Sequence, residues 1–259
     1  MGPAAGSGEG PDLLYGLHAV REALRSNARP LLKLLLARDD RPAGELARLA
    51  RAARVPVHVE PRSALDRLVP HGRHQGVVGL VAAKAYAAVD DLLAVARARG
   101  EAPCLLILDE VEDPHNLGAV LRTAEAAGVH GVCIPERRAV GLTGAVARAS
   151  AGAVEHLPVA RVPNLSRLVE ELQAAGLWVY VLDPSAGRPY TDLDYRGPLA
   201  LVIGGEARGV RPGLLGKCDE RVRIPMRGRV SSLNLSVAAG VVLYEVVRQR
   251  TGGPGGSPG

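Results

Sequence analysis

The sequence has few of the residues that mark several protein classes. Its 259 residues include no Phe, one Trp and three Cys. The odd number of cysteines and the absence of a C-x-x-C pair argue against a disulfide framework and give no support for a zinc site. No apolar run reaches the roughly 18 residues of a membrane span, and residues 1–10 lack the basic and apolar segments of a secretory signal. We therefore expect a cytoplasmic protein without a bound metal or a membrane partner.

Positive charge comes almost entirely from arginine. The formal net charge is +5, and only three of the 32 basic residues are lysines. Residues 1–90 carry 13 basic and 9 acidic groups, so much of the excess lies in the first third of the chain. This bias is compatible with a partner that bears phosphate groups. A GC-rich genome also produces it, so charge alone does not establish a nucleic-acid partner.

The order of helical and strand patterns divides the chain into two folded regions. Residues 1–11 and 251–259 are rich in Gly, Pro and Ser and are expected to form disordered tails. Residues 12–83 alternate between short helices and strands, which predicts a small α/β domain. Residues 84–103 are expected to connect it to residues 104–250, where apolar strands alternate with helices. That alternation predicts an α/β domain with a largely parallel sheet and helices on both faces.

Three predicted strand ends of the second region carry polar residues and glycines. In open α/β sheets, ligands bind at the carboxyl ends of the strands. The first end leads to Asn116 and Arg122, the second carries Gly204-Gly205-Glu206 with Gly209, and the third runs over residues 224–236. Taken one at a time, a helix cap, a tight turn and solvated arginines would also account for these residues. None of the three is a dinucleotide fingerprint, a phosphate-binding P-loop or a G-x-S-x-G elbow.

A basic loop stands near the end of the first region. Residues 71–76 read His-Gly-Arg-His-Gln-Gly, with the two histidines at H-x-x-H spacing. A zinc site would need a third protein ligand, and none is evident. The preferred interpretation is a loop that contacts phosphate, with Arg73 and His74 as the candidate residues.

Together, the three strand-end segments resemble the SpoU (TrmH) family of RNA 2′-O-ribose methyltransferases in the SPOUT class. The first matches the N-x5-R motif (Asn116, Arg122), the second matches G-x-E-x-x-G (204–209), and the third matches I-P-M-x-G-x-x-x-S-L-N-x-S-x-A (224–238). Residues 15–20 and 74–76 also resemble the branch that methylates guanosine in bacterial 23S ribosomal RNA. The resemblance covers about residues 13–250.

The resemblance implies a fold, a cofactor and partners. The fold would be an N-terminal L30-like α/β RNA-binding domain, followed by a SPOUT methyltransferase domain with a deep trefoil knot, an exception to the rule against threaded chains. The cofactor would be S-adenosylmethionine, bound in the loops of the knot. The chain would form a homodimer through its C-terminal domain, with the closing helix (235–250) at the interface.

The resemblance also implies roles for named residues. The catalytic residues would be Asn116, Arg122, Glu206, Ser232 and Asn234. Glu206 would hold Arg122 or the cofactor, while Ser232 and Asn234 would place the nucleotide. The residues around the cofactor would be Leu182, Gly204, Glu206, Gly209, Ile224, Met226 and Leu233. The residues that contact RNA would be Arg73, His74 and Arg122.

Two alternatives stay open. The same motifs occur in enzymes that methylate tRNA or another ribosomal RNA, and only the N-terminal domain and the branch-like segments favour a guanosine of 23S rRNA. The second alternative is a non-catalytic RNA-binding factor for ribosome assembly that keeps the fold. Because the catalytic set is intact, the sequence favours an enzyme. We therefore predict S-adenosylmethionine-dependent 2′-O-methylation of RNA.

Overall fold

A computed structural model describes residues 12–26, 30–38, 43–70, 73–206 and 208–252. The contacts divide the chain into two units. The first comprises Met1–Ala85 and Gly141–His156, and the second comprises Tyr86–Val140 and Leu157–Gly259. The predicted boundary at residue 83 lies near the division at 85, but the sequence did not separate residues 141–156 from the second region. The predicted tails lie outside the described residues, except for Thr251, which ends a helix, and Gly252.

Strands and helices are numbered in chain order. The strands are β1 (Asp12–Tyr15), β2 (Leu31–Ala37), β3 (Val57–Glu60), β4 (Val77–Val81), β5 (Cys104–Asp109), β6 (Gly131–Pro135), β7 (Val159–Val162), β8 (Trp178–Leu182), β9 (Arg188–Pro189), β10 (Leu199–Gly204) and β11 (Glu220–Arg223). The α-helices are α1 (Leu17–Ser26), α2 (Ala43–Ala52), α3 (Arg62–Leu68), α4 (Val89–Arg99), α5 (Pro114–Ala126), α6 (Gly144–Ala149), α7 (Leu165–Ala174), α8 (Pro212–Leu215) and α9 (Leu235–Thr251).

The first unit is built on a four-stranded sheet in the order β1-β4-β2-β3. β4 is antiparallel to β1 and β2, and β2 is parallel to β3. α6 packs closely on β1, since a Cβ added to Gly144 would lie 1.8 Å from the carbonyl oxygen of Leu13. The sequence did not reveal β1, because four mostly half-buried residues are too few to show a strand period.

The second unit is built on a seven-stranded parallel sheet in the order β7-β6-β5-β10-β8-β11-β9. β5 and β6 are buried along their whole length, as expected for strands covered on both faces. The prediction of a parallel α/β sheet is confirmed.

The predicted connection over residues 84–103 contains α4, which belongs to the second unit. Leu92 and Ala96 of this helix are buried. A Cβ added to Gly131 of β6 would lie 2.1 Å from Cγ of Leu92, so the helix packs directly on the sheet. The connection is therefore shorter than the sequence predicted, because the apolar side of α4 is part of the core.

Side chains near the end of α9 fix this closing helix to residues 193–197. Gln249 accepts a hydrogen bond from the Tyr195 amide at 2.8 Å and donates to the Leu193 carbonyl at 2.9 Å. Arg250 donates to the carbonyl oxygens of Tyr195 at 3.1 Å and Gly197 at 2.7 Å. The helix end is thus held by hydrogen bonds as well as by apolar packing.

The buried carboxylate of Glu245 makes the stability of this region depend on pH. It accepts hydrogen bonds from Arg248 Nε at 2.7 Å and from Gln249 Nε2 at 2.8 Å. The hydrogen bonds from Arg248 lower the pKa of Glu245 from 4.5 to about 2. A carboxyl with a depressed pKa in the folded state contributes stability that is present above pH 4.5 and is lost as pH falls toward 2.

We expect Glu245→Gln to lower the free energy of unfolding by about 1 kcal/mol at neutral pH and to flatten its decline between pH 4.5 and 2. Denaturant unfolding at a series of pH values measures both effects. Glu171→Gln is the matched control, because Glu171 forms an exposed pair with Arg167 that should contribute little. Parallel pH profiles for the wild type and Glu245→Gln would contradict the prediction.

Candidate functional site

A hydrogen-bonded network joins three strand ends of the second unit. Asn234, just before α9, donates from Nδ2 to Oδ1 of Asn116 at 3.1 Å and to Oε1 of Glu206. The amide of Leu235 donates to the same Glu206 oxygen at 3.4 Å. Asn116 follows β5, Glu206 follows β10, and Asn234 follows β11. Each of the three sequence motifs therefore contributes one residue to a single site.

The start of α5 places Asn116. Asp113 caps the helix, since its carboxylate accepts hydrogen bonds from the amides of His115 at 3.1 Å and Asn116 at 3.3 Å, and Pro114 occupies the first helical position. Asn116 therefore lies within the first turn. Arg122, six residues later, lies about 240° further around the helix axis.

The implied contact between Glu206 and Arg122 is not formed among the described residues. The Glu206 carboxylate is instead bound by Asn234. Arg122 is exposed and makes no hydrogen bond or ion pair with any residue in the described ranges. The alternative role, in which Glu206 holds the cofactor, stays a prediction, since Glu206 also lines a cavity beside the network.

Asn234 has two structural roles at once. It is the N-cap of α9, with Oδ1 accepting hydrogen bonds from the Ser236 amide at 3.0 Å and the Ser236 hydroxyl at 2.6 Å. Its Nδ2 group bridges Asn116 and Glu206. The helix-cap interpretation of this residue is confirmed, and it is compatible with a place in the site. Asn234 fixes its neighbours, while Ser232, also before α9, is exposed.

The loop after β10 folds closely against itself and against β5. The Gly205 amide donates to the Asp109 carbonyl at 2.7 Å, and the Gly209 amide donates to the Gly205 carbonyl at 2.9 Å. A Cβ on Gly204 would lie 2.0 Å from the carbonyl carbon of Gly209, and one on Gly205 would lie 2.3 Å from the carbonyl oxygen of Glu110. Gly209 itself has a φ of +65°. Glycine is therefore required here by close backbone approach and by a left-handed turn.

A cavity of about 340 Å³ shares residues with this network. Its lining includes all seven residues that the sequence predicted around a cofactor: Leu182, Gly204, Glu206, Gly209, Ile224, Met226 and Leu233. Glu206, Ser231, Ser232 and Asn234 supply its polar side chains. A concave site with mostly apolar walls and a few polar groups is typical of small-molecule binding.

The loop after β8, on the rim of this cavity, is fixed by Asp183. Its carboxylate accepts hydrogen bonds from the amide and hydroxyl of Ser185 at 2.9 Å and from Arg221 Nε at 3.0 Å. Partial burial alone would raise the pKa of Asp183, but the hydrogen bonds from Arg221 and Ser185 lower it overall. The neighbouring Leu182 and Pro184, which line the cavity, are held in place by this charged group.

Two ion pairs beside the loop after β10 were not recognised in the sequence. Asp109 is fully buried and accepts hydrogen bonds from the amide of Arg211 at 3.0 Å and its Nε at 2.9 Å. Glu110 accepts a hydrogen bond from Arg138 Nη1 at 2.8 Å, and this bond lowers the pKa of the Glu110 carboxyl. The feature of the sequence that could have indicated these ion pairs was the acidic residue at the end of a buried strand. The two arginines lie far along the chain, so no spacing identified them.

The predicted phosphate-binding loop of the first unit has one exposed and one buried candidate. Arg73 is exposed, whereas His74 is only 2% exposed. The Gly76 amide donates to Nδ1 of His74 at 3.0 Å, and Nε2 lies 2.8 Å from Oδ1 of Asp66. Because both ring nitrogens are engaged, the prediction that His74 contacts RNA is wrong. His74 instead holds the loop that carries Arg73.

The described part of the chain contains no group of three or more His, Cys, Asp or Glu side chains that could hold a metal ion. His71, the partner of His74 in the H-x-x-H spacing, lies outside the described residues. Among the residues with described positions, no helix is long and apolar enough to cross a membrane.

Two family sequence profiles match the chain. The profile of the SpoU rRNA Methylase family matches residues 103–244. The profile described as RNA 2′-O ribose methyltransferase substrate binding matches residues 13–87. The first match includes the network and the cavity, and the second includes all of the four-stranded sheet except Asp12.

Individual relatives match over nearly the whole chain. YacO of Bacillus subtilis strain 168, named as a TrmH family tRNA/rRNA methyltransferase, is 49% identical over 241 residues, which are 92% of this chain and 96% of YacO. The SpoU methyltransferase AviRb from Streptomyces viridochromogenes, solved in complex with the cofactor AdoMet, has a TM-score of 0.79 and 30% identity, covering 94% of this chain and 92% of AviRb. The AdoMet-bound rRNA methyltransferase from Sinorhizobium meliloti has a TM-score of 0.76 and 27% identity, covering 92% and 87%. The chain therefore belongs to the SpoU/TrmH family of RNA methyltransferases.

Proposed function

We propose that the protein transfers a methyl group from S-adenosylmethionine to the 2′-oxygen of a ribose in RNA. The observation that carries this proposal is the overlap of the cavity with the network, since Glu206 and Asn234 belong to both. A methyl donor in the cavity would lie beside the polar side chains that surround the ribose. The AdoMet complex of AviRb and the match to a 2′-O ribose substrate-binding profile support this choice.

The residues of the cavity fit S-adenosylmethionine. Leu182, Ile224 and Leu233 provide apolar surfaces for an adenine ring, and Gly204 lets the loop after β10 pack closely against itself in the cavity wall. The volume of about 340 Å³ lies in the range of small-molecule sites. We assign these residues, with Gly209 and Met226, to the cofactor. When bound, the cofactor supplies a methyl group on a positively charged sulfur.

The network keeps the ribose site rigid. Asn234 links Asn116 to Glu206, so a displacement of one strand end would disturb the other two. Fixed orientation of the reacting groups can lower a displacement barrier by roughly 7–11 kcal/mol. In this proposal Asn234 and Glu206 are positioning residues, whereas Asn116 and Ser232 contact the ribose.

Arg122 is the proposed contact to the RNA phosphate next to the reacting ribose. Arginine stays protonated in proteins, so it does not remove the proton of the 2′-hydroxyl. It can bind a phosphate and stabilise the negative charge that develops on the attacking oxygen. Its exposure leaves its N–H groups available to RNA.

A guanosine of 23S ribosomal RNA is the proposed substrate. The resemblance of residues 15–20 and 74–76 to the guanosine-methylating branch supports it, and the exposed Arg73 lies beside the second of these segments. The second candidate is tRNA, because the name of YacO covers both tRNA and rRNA.

Finer features of the fold and assembly are part of the same proposal. The first unit would have the L30-like fold, residues 104–250 would contain the trefoil knot, and the enzyme would act in the cytoplasm as a homodimer. Val237 and Tyr244 support the dimer, because both are about half exposed and lie seven residues apart on α9. Large apolar side chains at that spacing on one helix suit a partner helix.

Labelled S-adenosylmethionine tests the reaction. We expect label to enter 23S rRNA taken from cells that lack the modification, and alkaline digestion to leave it in a dinucleotide. A methylated 2′-oxygen cannot attack the adjacent phosphate, so the resistant dinucleotide identifies ribose methylation and shows which base the methylated nucleotide carries. Label found only in mononucleotides would contradict ribose methylation.

Parallel reactions with tRNA and with precursor ribosomal particles separate the candidate substrates. Label in tRNA alone would identify tRNA, rather than 23S rRNA, as the substrate. Binding of S-adenosylmethionine without label in any RNA would favour the assembly-factor alternative.

A further inference from the structure

A second cavity, of about 520 Å³, lies at the carboxyl edge of the parallel sheet. Its lining includes the end of β6, the start of α7 and three arginines, Arg137, Arg138 and Arg211, with no acidic residue. We propose that this arginine cavity binds phosphate groups of the RNA substrate, a few nucleotides from the methylated ribose. The inference rests on the proposed RNA substrate and adds a contact outside the family motifs.

The position of the arginine cavity suits an RNA strand that also enters the reaction site. The arginine cavity lies beyond the ends of β7 and β6, whereas the reaction site lies beyond the ends of β10, β8 and β11. Neighbouring strands are about 4.8 Å apart, so the two sites are separated by roughly 10–20 Å along the sheet edge. Because both follow carboxyl ends of parallel strands, one RNA can contact both.

Carboxylates behind the arginine cavity hold two of its arginines in place. Asp109, fully buried, binds Arg211, and Glu110, whose side chain is 10% exposed, binds Arg138. The side chains of Arg211 and Arg138 are 42% and 59% exposed. The negative charges therefore lie behind guanidinium groups that face solvent. Each guanidinium has five N–H groups in a fork, so donors remain for a phosphate.

Arg137 supplies further positive charge to the lining of the arginine cavity. It is exposed and forms no ion pair with any residue whose position is described. The start of α7 is a weaker attraction for an anion, because Oδ1 of Asn164 already accepts hydrogen bonds from the amides of Ser166 at 2.9 Å and Arg167 at 3.2 Å. The arginines, rather than the helix end, are thus the principal binding groups.

The backbone of the Glu110–Arg138 pair supports a functional role. Glu110 has a φ of +57° and Arg138 a φ of +60°, in the left-handed region that residues other than glycine rarely adopt. Such conformations persist where the surroundings enforce them, and they cluster at ligand sites. Here they occur in the loops after two adjacent strands, β5 and β6, and the two side chains bind each other.

RNA binding by the double variant Arg137→Gln/Arg138→Gln tests the inference. We expect the affinity for RNA to fall about 10-fold, and the slope of log affinity against log salt concentration to decrease by about 1 for each arginine. The loss should be equal for the target RNA and a scrambled RNA of the same length, because phosphate contacts carry no sequence information. Affinity for S-adenosylmethionine and kcat at saturating RNA should not change, while KM for RNA should rise.

Two further variants separate a phosphate contact from other effects. Arg97→Gln/Arg99→Gln makes the same change in charge at the end of α4. Because α4 leads into the start of β5, this variant lies at the opposite edge of the sheet from the arginine cavity. It should leave RNA affinity near the wild-type value. Glu110→Gln releases Arg138 from its ion pair and should leave RNA binding unchanged or make it tighter.

Each contrary result overturns a stated part of the argument. Unchanged RNA affinity and salt slope in the double variant would overturn the arginine cavity and leave the proposed function intact. An equal loss of RNA affinity in the Arg97→Gln/Arg99→Gln variant would indicate a general effect of charge. It would also overturn the proposal that the arginine cavity binds phosphate. If Glu110→Gln weakens RNA binding as much as Arg137→Gln/Arg138→Gln does, the losses follow from a disturbed loop structure and not from a lost phosphate contact, and the proposal is overturned. Failure of the wild type to bind any RNA would overturn the proposed function together with this inference.

Discussion

Replacement of Arg122 by alanine is expected to lower kcat by about 10²- to 10³-fold, the loss typical for removal of one group that stabilises developing negative charge. Arg122 is exposed and has no ion pair within the described residues, so the free energy of unfolding should change little. Affinity for S-adenosylmethionine should remain at the wild-type value. Single-turnover methylation at saturating RNA measures the rate, and calorimetry measures cofactor binding.

Glu125→Ala is the matched control for this substitution. Glu125 is an exposed charged residue three positions further along α5, so its replacement makes a comparable change on the same part of the helix. It should retain the wild-type rate.

Asn116→Ala is expected to remain folded and to lose turnover, because it removes the acceptor that Asn234 binds. Wild-type rates in both Arg122→Ala and Asn116→Ala would contradict the assignment of the site.

Alanine at Gly204 is expected to weaken the binding of S-adenosylmethionine by about 100-fold, through displacement of the loop after β10. The added Cβ would lie 2.0 Å from the carbonyl carbon of Gly209 and 2.2 Å from the amide nitrogen of Val210. These are backbone atoms, which cannot move aside as a flexible side chain can. Calorimetric titration with the cofactor measures the loss.

Gly213→Ala is the control for Gly204→Ala. Gly213 lies in the same connection between β10 and β11, and nothing lies within 4 Å of an added Cβ. Its replacement should leave cofactor affinity unchanged. Equal affinities for the wild type and Gly204→Ala would contradict the assignment of the cavity to the cofactor.

The strand ends could be located from the sequence because the strands are continuous apolar runs. Residues 104–108 and 199–203 contain only apolar side chains. The first run is followed by the charged residue Asp109 and the second by Gly204, and these two residues mark the strand ends. Strands buried on both faces have this pattern. Since parallel strands end at one edge of a sheet, the motifs at these ends could be expected to meet, and Asn116, Glu206 and Asn234 do meet.

The pairing of polar side chains within the site could not be predicted in the same way. Glu206 was expected to hold Arg122 or the cofactor; it lines the cavity, and its side-chain partner among the described residues is Asn234 rather than Arg122. His74 was expected to contact RNA, but it is buried between Asp66 and the Gly76 amide. In both cases the motif identified the residue and not its neighbours, because a side chain can reach several partners within one turn or loop.

By itself, the sequence predicted most of the helices and strands and the parallel sheet, because hydrophobic periodicity is a local property of the chain. The residues that line the cavity were implied by the resemblance of its motifs to a known family. Only the tertiary structure decided which distant groups meet. Asp109 and Arg211 are 102 positions apart, and residues 141–156 join the first unit although they follow strands of the second. Such contacts depend on the order of strands in the sheet and on the path of the connections between them, which no local pattern encodes.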